Sequence, residues 1–314
     1  MNGVVSTGGE GAVLPPLVVI CGATATGKTS LSLELAERLG DTEIVSADSR
    51  QVYRGMDVGT AKPTFEARAR IPHHGLDLVA PDEPFSVARY RAAALEALRG
   101  IAARGRLALL VGGTGLYLRA VARGMELDAG SSDAELRAEL EQRLTVEGLP
   151  ALVDELRRLA PRLAASVDVA NPRRVVRALE RARLIGDEPP PPPRGYPAPS
   201  AWIGTTVEPA AHRQAIGRRA SDQFAHGLID EARALRERYD PEARAFSAVG
   251  YREAFGVLDG ELTLERALAR TITRTWQYGR RQGTWFRREE GVTWLPVERA
   301  RDEALAIARS LVAS

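Results

Sequence analysis

The chain has 314 residues, 44% hydrophobic and 27% charged, enough to bury one large core or a core plus a smaller domain. One cysteine, Cys21, excludes an internal disulfide and suits a reducing compartment; no run reaches 18 apolar residues, which argues against a membrane span and leaves a cytoplasmic protein as the expectation. The net charge of +2 comes from 43 basic residues of which only Lys28 and Lys62 are lysines, the arginine bias of GC-rich coding, so each surviving lysine is informative.

Residues 1–14 are glycine-rich, contain Glu10, and lack the basic and apolar blocks of a signal peptide; they read as a disordered tail. The apolar run LVVICG at 17–22 predicts a buried strand. The loop GATATGKT (22–29) follows, and then a helix whose leucines recur at helical spacing up to Gly40. Further strands are expected at 43–48 (EIVSAD) and 107–113 (LALLVGG), with a helix over 86–104 between them. Strands alternating with helices imply an α/β fold with a parallel sheet covered on both faces. From about 125 the pattern turns purely helical, and it ends in the proline-rich stretch 187–200. A short strand near 201–207 returns the chain to the sheet, and helical segments follow at 212–238, 247–257 and 264–288. The expected plan is a core of 15–124 and 196–314 interrupted by a helical insertion of 125–195.

GATATGKT fits the phosphate-loop pattern G-x-x-x-x-G-K-[ST] and has the required strand before it and helix after it. The backbone amides of Gly22, Ala23, Thr24, Ala25, Thr26 and Gly27 are expected to cradle phosphate oxygens at a helix N-terminus. Lys28 adds a point charge and the Thr29 hydroxyl can coordinate Mg2+. The pattern points to phosphate or diphosphate binding without naming a reaction. Asp48, closing its strand, is the acidic residue best placed beside the loop; position alone leaves it as metal-positioning group, general base or strand-end cap.

Residues 46–63, SADSRQVYRGMDVGTAKP, resemble the signature of the tRNA dimethylallyltransferase (isopentenyltransferase) family nearly residue for residue. Further blocks resemble it in the same order: PHHGLDLV (72–79), LLVGGTGLYLRAV (109–121), NPRRVVRALE (171–180), AVGYREAF (248–255) and TRTWQYGRRQGTWFRR (273–288). The resemblance spans about residues 17 to 296. It implies a P-loop catalytic core and a reaction in which the exocyclic amine of a tRNA adenosine beside the anticodon attacks dimethylallyl diphosphate. Asp48 would then receive the amine proton, and Thr29 would contact the bridging-oxygen side of the diphosphate. Arg219 would grip pyrophosphate from the opposite side.

The family match also implies RNA contacts. Asp48, Ser49, Arg50 and Gln51 would hold an extruded base, and Thr114 would line the same loop cluster. Ser247, Ala248, Val249, Gly250, Tyr251 and Arg252 would support the anticodon loop, and Arg137, Arg173, Arg174 and Arg177 of the insertion would meet the stem. Between residues 266 and 288 seven arginines alternate with aromatics and no acid intervenes, which reads as an RNA-facing helix; Arg280, Arg281 and Gln282 belong to it. His73 and His74 lack a third ligand and read as packing or hydrogen-bonding groups. The expected partners are a tRNA anticodon stem-loop and dimethylallyl diphosphate, with no obligate protein partner.

The sequence departs from the family pattern at Ala23, Asp168, Pro209, His212, Ala215, Gln223 and Ser247, which puts the pyrophosphate clamp and individual RNA contacts in question more than the catalytic loop. Three other functions remain open on the residues. An adenylate prenyltransferase is disfavoured by the insertion and the basic helix, a P-loop kinase or ATPase would use Asp48 for its metal, and a non-catalytic RNA-binding paralogue would fit the departures.

Overall fold

The computed structural model describes residues 13–127 and 132–313; the expected tail at 1–14 lies outside them except for Val13 and Leu14. Six strands form one parallel sheet: β1 Leu17–Cys21, β2 Thr42–Ser46, β3 His73–His74, β4 Leu107–Gly112, β5 Ser200–Thr206 and β6 Val292–Pro296. Their order across the sheet is β3-β2-β4-β1-β5-β6. Every residue of β1, β2 and β4 is buried; β1 and β4 are the apolar runs that strands covered on both faces require, whereas β2 also buries Thr42, Glu43 and Ser46.

The helices are α1 Lys28–Leu39, α2 Phe65–Arg70, α3 Val87–Ala103, α4 Gly115–Ala122, α5 Ala134–Leu159, α6 Pro161–Ser166, α7 Pro172–Ile185, α8 Pro209–Ala225, α9 Leu228–Arg236, α10 Tyr251–Leu258, α11 Leu264–Phe286 and α12 Ala300–Ala313. On one sheet face Leu31 and Leu35 of α1 and Ala304 and Leu305 of α12 pack on Val18, Ile20 and Leu109. On the other, Tyr90 and Leu98 of α3, Leu118 of α4, Leu235 of α9, Tyr251 of α10 and Phe286 of α11 pack on Val19, Val45 and Leu110. Cys21 is wholly buried at the end of β1, and burial pushes its thiol up to about 12.

Several boundaries differ from the sequence expectation. The segment 212–238 is two helices, because Gly227 adopts φ 99° and starts α9 afresh. The segment 247–257 begins as a 3-10 turn at Arg244–Ser247 and becomes α-helical only at Tyr251. β3, β6, α2, α4 and α12 carry too short or too mixed a pattern to stand out in the sequence.

The chain divides into two compact units, one made of the residues up to Gly124 and from Gly195 onward, the other of Met125–Arg194. The second unit is helical, with Leu140, Leu152, Leu156, Val175 and Leu179 at its core. In it, Gly148 (φ 82°) breaks α5 two residues before Pro150, and Asn171 caps α7 by accepting from the Arg173 and Arg174 amides with Pro172 at the first helical position. Glu180, fully buried, accepts from Arg137 at 2.7 Å, from the Asp133 amide at 2.8 Å and from Arg177.

Candidate active site

The sheet order places the tips of β1 and β2 on either side of β4, so the loop after β1 and the turn after β2 meet above the carboxyl ends of the strands, where open α/β sheets hold ligands. The phosphate loop has the conformation its glycines permit: Gly22 lies at φ 145°, Gly27 at φ 81°, and Ala25 at φ 59°. A Cβ at Gly22 would fall 2.8 Å from Thr205 Oγ1. The Thr26 and Thr205 hydroxyls share a hydrogen bond of 2.7 Å that fixes the loop to β5. Lys28 opens α1 and its ammonium donates to the Ala23 carbonyl at 2.6 Å. Burial and the nearby Arg219 charge pull Lys28 down to about 8, against the opposing pull of Asp48.

Asp48 stands beyond β2 with its backbone turn held from several sides. Its Oδ1 accepts from the Arg50 amide at 2.8 Å, and no protein donor among the described residues reaches its second oxygen. The Thr114 hydroxyl accepts from the Ser49 amide at 2.9 Å and donates to Ser49 Oγ at 3.3 Å. β4 presses close from below: a Cβ on Gly112 would sit 2.1 Å from the Ala47 carbonyl oxygen, so this position admits only glycine.

Thr24, Lys28, Thr29, Asp48, Arg219 and Tyr278 line one cavity, together with Ser32, Ser46, Gln51, Ala61, Pro63, His73 and the tips of β2 and β4. A second cavity is lined by Arg50, Gly59, Thr60, Gln223, Ser247, Ala248, Val249, Arg274, Gln277 and Arg281, and it shares Thr24, Asp48, Arg219 and Tyr278 with the first. Asp48 therefore lies where a chamber bordered by the phosphate loop meets one lined by arginines and the 247–249 segment. Arg219 reaches into this neck from α8, donating to Thr24 Oγ1 at 3.2 Å and to the Thr60 carbonyl at 3.4 Å; burial pulls its pKa below the usual arginine range. Tyr278, four residues before Gln282 on α11, is pushed up to about 12 by burial and the Asp48 charge, so its phenol stays protonated as a donor.

Several residues expected to meet RNA are committed elsewhere. Gln51 accepts from the Ser46 hydroxyl at 2.8 Å and donates to the Thr60 and Ala61 carbonyls at 3.2 Å, which spends its amide inside the protein. Tyr251 is fully buried with its hydroxyl on Glu231 at 2.6 Å. Gln282 is buried between the phosphate loop and the Gly112–Gly113 turn. Arg137 and Arg177 hold Glu180, and Arg274 pairs with the buried Glu253 at 2.5 Å, so the basic helix is compensated at that position by an acid from α10. Arg173, Arg174, Arg252, Arg280 and Arg281 are exposed, Arg174 lying 3.5 Å from Asp168 and Arg252 3.9 Å from Glu242. Gly250 starts α10 at φ 107°, and Ser247 closes its own 3-10 turn through the Arg244 carbonyl. Arg50 donates to the Arg244 carbonyl at 3.1 Å, tying the Asp48 turn to that segment.

Sequence reasoning missed Tyr278 and His73 as cavity residues and Glu231 as the organiser of the 57–59 loop. The Glu231 carboxylate accepts from the amides of Asp57, Val58 and Gly59 at 2.7–3.0 Å, while Gln223 donates to the Val58 and Gly59 carbonyls at 2.8–2.9 Å. The spacing of Tyr278 and Gln282, one helical turn apart, is the signal that would have found Tyr278.

A family model described as IPP transferase matches residues 51–289, and one described as Isopentenyl transferase matches residues 15–71. The chain belongs to the IPP transferase family. The family is one of prenyl-transferring enzymes. The chain is 44% identical over 292 residues to a protein of Roseiflexus sp. (strain RS-1) named tRNA dimethylallyltransferase, covering 90% of this chain and 93% of that one. A protein of the same name from Thermus thermophilus is 44% identical over 289 residues, covering 88% and 92%. Among solved structures, the full-length tRNA isopentenylpyrophosphate transferase of Bacillus halodurans superposes with a TM-score of 0.71 at 39% identity, covering 95% of this chain and 97% of that one. A eukaryotic dimethylallyltransferase acting on tRNA shares the fold with a TM-score of 0.79 at 24% identity, covering 95% and 80%. Among the described residues no helix is long and apolar enough to cross a membrane.

Proposed function

We propose that the chain transfers a dimethylallyl group from dimethylallyl diphosphate to the N6 amine of the tRNA adenosine 3′-adjacent to the anticodon, releasing pyrophosphate, in the cytoplasm. The observation that carries this reading is the shared neck: one carboxylate, Asp48, borders both the phosphate-loop cavity and the arginine-lined cavity. In the reaction the amine nitrogen bonds to the first prenyl carbon as the carbon–oxygen bond breaks. The electron pair of that bond leaves on the diphosphate, and the amine proton passes to the open oxygen of Asp48. An aromatic amine becomes acidic once alkylated, so a weak, fixed base suffices. Lys28, Arg219 and the loop amides other than that of Thr24, which is bound to Gln282, stabilise the charge growing on the leaving group. The homologues named tRNA dimethylallyltransferase support the choice of acceptor. The exposed Arg173, Arg174, Arg280 and Arg281 are proposed to contact RNA phosphates.

Thr29 and Asp48 border the phosphate cavity, and no cluster of three His, Cys, Asp or Glu side chains suited to a metal occurs among the described residues. The Thr29 hydroxyl would hold Mg2+ arriving with the diphosphate, phosphate oxygens and water supplying the other positions, which leaves Asp48 free as the base. When bound, the ion would neutralise charge on the leaving pyrophosphate.

The test incubates the protein with dimethylallyl diphosphate, Mg2+ and an anticodon stem-loop bearing adenosine immediately 3′ of the anticodon. Nucleoside mass analysis is expected to show prenylated adenosine, and Asp48→Ala is expected to lower the rate by about 10²–10⁴-fold while RNA binding persists. Prenylation of AMP in preference to the stem-loop, or undiminished transfer by the variant, would overturn the assignment.

A further inference from the structure

One residue of the phosphate loop is gripped at every polar atom it has. The Thr24 amide donates to Gln282 Oε1 at 2.8 Å, its carbonyl lies 2.8 Å from His212 Nε2, and its hydroxyl accepts from Arg219 at 3.2 Å. A carbonyl only accepts, so His212 Nε2 carries the hydrogen. The other end of the Gln282 amide donates to the Gly113 carbonyl at 2.8 Å, which joins the phosphate loop to the glycine turn after β4. Both side chains are nearly closed to solvent, Gln282 at 7% and His212 at 9% exposure. Their helices leave room for this: a Cβ at Gly279 would lie only 3.3 Å from the His212 ring.

Anion loops work by aiming several amides at one point, and a loop fixed beforehand loses less freedom when the anion binds. Thr24 is a post and not a ligand, because its own amide is already spent on Gln282. We propose that Gln282 and His212 are positioning residues that set the diphosphate affinity of the loop without contacting RNA. This rests on the reading that the loop takes a prenyl diphosphate. It reassigns Gln282 away from the RNA side of α11, where Tyr278 and Arg281 line the second cavity.

The test measures binding of inorganic pyrophosphate with Mg2+, and separately of the anticodon stem-loop, to the full chain and its variants by calorimetry. Gln282→Leu is expected to weaken pyrophosphate about tenfold with stem-loop affinity held within about twofold. His212→Leu should weaken pyrophosphate similarly, and His212→Gln, whose amide can still donate to Thr24, should recover most of it. Should Gln282→Leu melt below the assay temperature, Gln282→Met replaces it, a side chain of similar length that adds no charge, gives up the Gly113 contact and offers Thr24 only a weak sulfur acceptor. Unchanged pyrophosphate affinity in folded variants, or lost RNA affinity with pyrophosphate binding intact, overturns the proposal. A wild-type chain that binds pyrophosphate but prenylates no RNA overturns the functional reading and leaves the clamp standing.

Discussion

At Lys28, burial and charge compete within a single side chain. Burial and the nearby Arg219 charge lower the ammonium to about 8, while Asp48 and, more weakly, Cys21 pull the other way. The group is charged below that pH and neutral above it. Pyrophosphate affinity of the free protein is therefore expected to fall as pH rises through about 8, and calorimetry across pH 7–9.5 checks this. Lys28→Met should bind weakly throughout and lose the pH dependence. The same group makes the ligand-free fold more stable as pH climbs from 8 toward the unfolded value of 10.5, because in that window the unfolded chain holds a proton that the native loop has released. Lys28 was legible in sequence because the phosphate-loop pattern is local. Gln282 and Tyr251 were not: their partners at Thr24 and Glu231 lie 258 and 20 residues away, and burial of a polar side chain inside a basic or RNA-like block leaves no periodic trace. For Gln51, only the fold reveals that Ser46, Thr60 and Ala61 hold its amide at the wall of the cavity.

Among the elements, the long apolar strands were legible and the two-residue β3 was not, because a strand that short owes its existence to pairing with Ile44 and Val45 of β2. Helix boundaries failed at Gly227, where helical periodicity continues on both sides of a left-handed residue. The loop at 57–59 shows how an element lacking regular hydrogen bonds is held by a single carboxylate. Glu231 satisfies three consecutive amides and the Tyr251 hydroxyl. Glu231→Ala is expected to cost about 2–3 kcal/mol and to loosen the Gly59–Thr60 edge of the second cavity, raising KM for RNA more than for the diphosphate. In the helical unit, Glu180 of α7 joins that helix to α5 through Arg137, with Arg177 of its own helix as a second partner. Both arginines are about one-third to one-half exposed, at 32% and 47%, so solvent would relieve much of their lost pairing. Glu180→Ala is therefore expected to cost about 2 kcal/mol, below the range for wholly buried pairs, read as a lowered unfolding midpoint with faster amide exchange in α7. Arg137→Ala should reduce stability before it affects RNA affinity.

For the molecule as a whole, the near-neutral net charge conceals how its basic side chains are used. Arg274, Arg137 and Arg177 are tied to buried acids, whereas Arg280 and Arg281 are exposed on α11. RNA affinity should depend on salt through the second kind. The double variant Arg280→Ala, Arg281→Ala is expected to flatten the slope of log affinity against log salt by about 1.4, two phosphates' worth for single-stranded RNA, while leaving pyrophosphate binding in place. The whole chain carries one thiol, that of Cys21, sealed beneath the phosphate loop with its thiolate form suppressed near neutrality. Any cysteine introduced on the surface would then be the sole fast-reacting thiol. A single dye or spin label could be attached at a chosen helix without stripping the native residue, giving a direct optical or magnetic readout of how each substrate moves the scaffold.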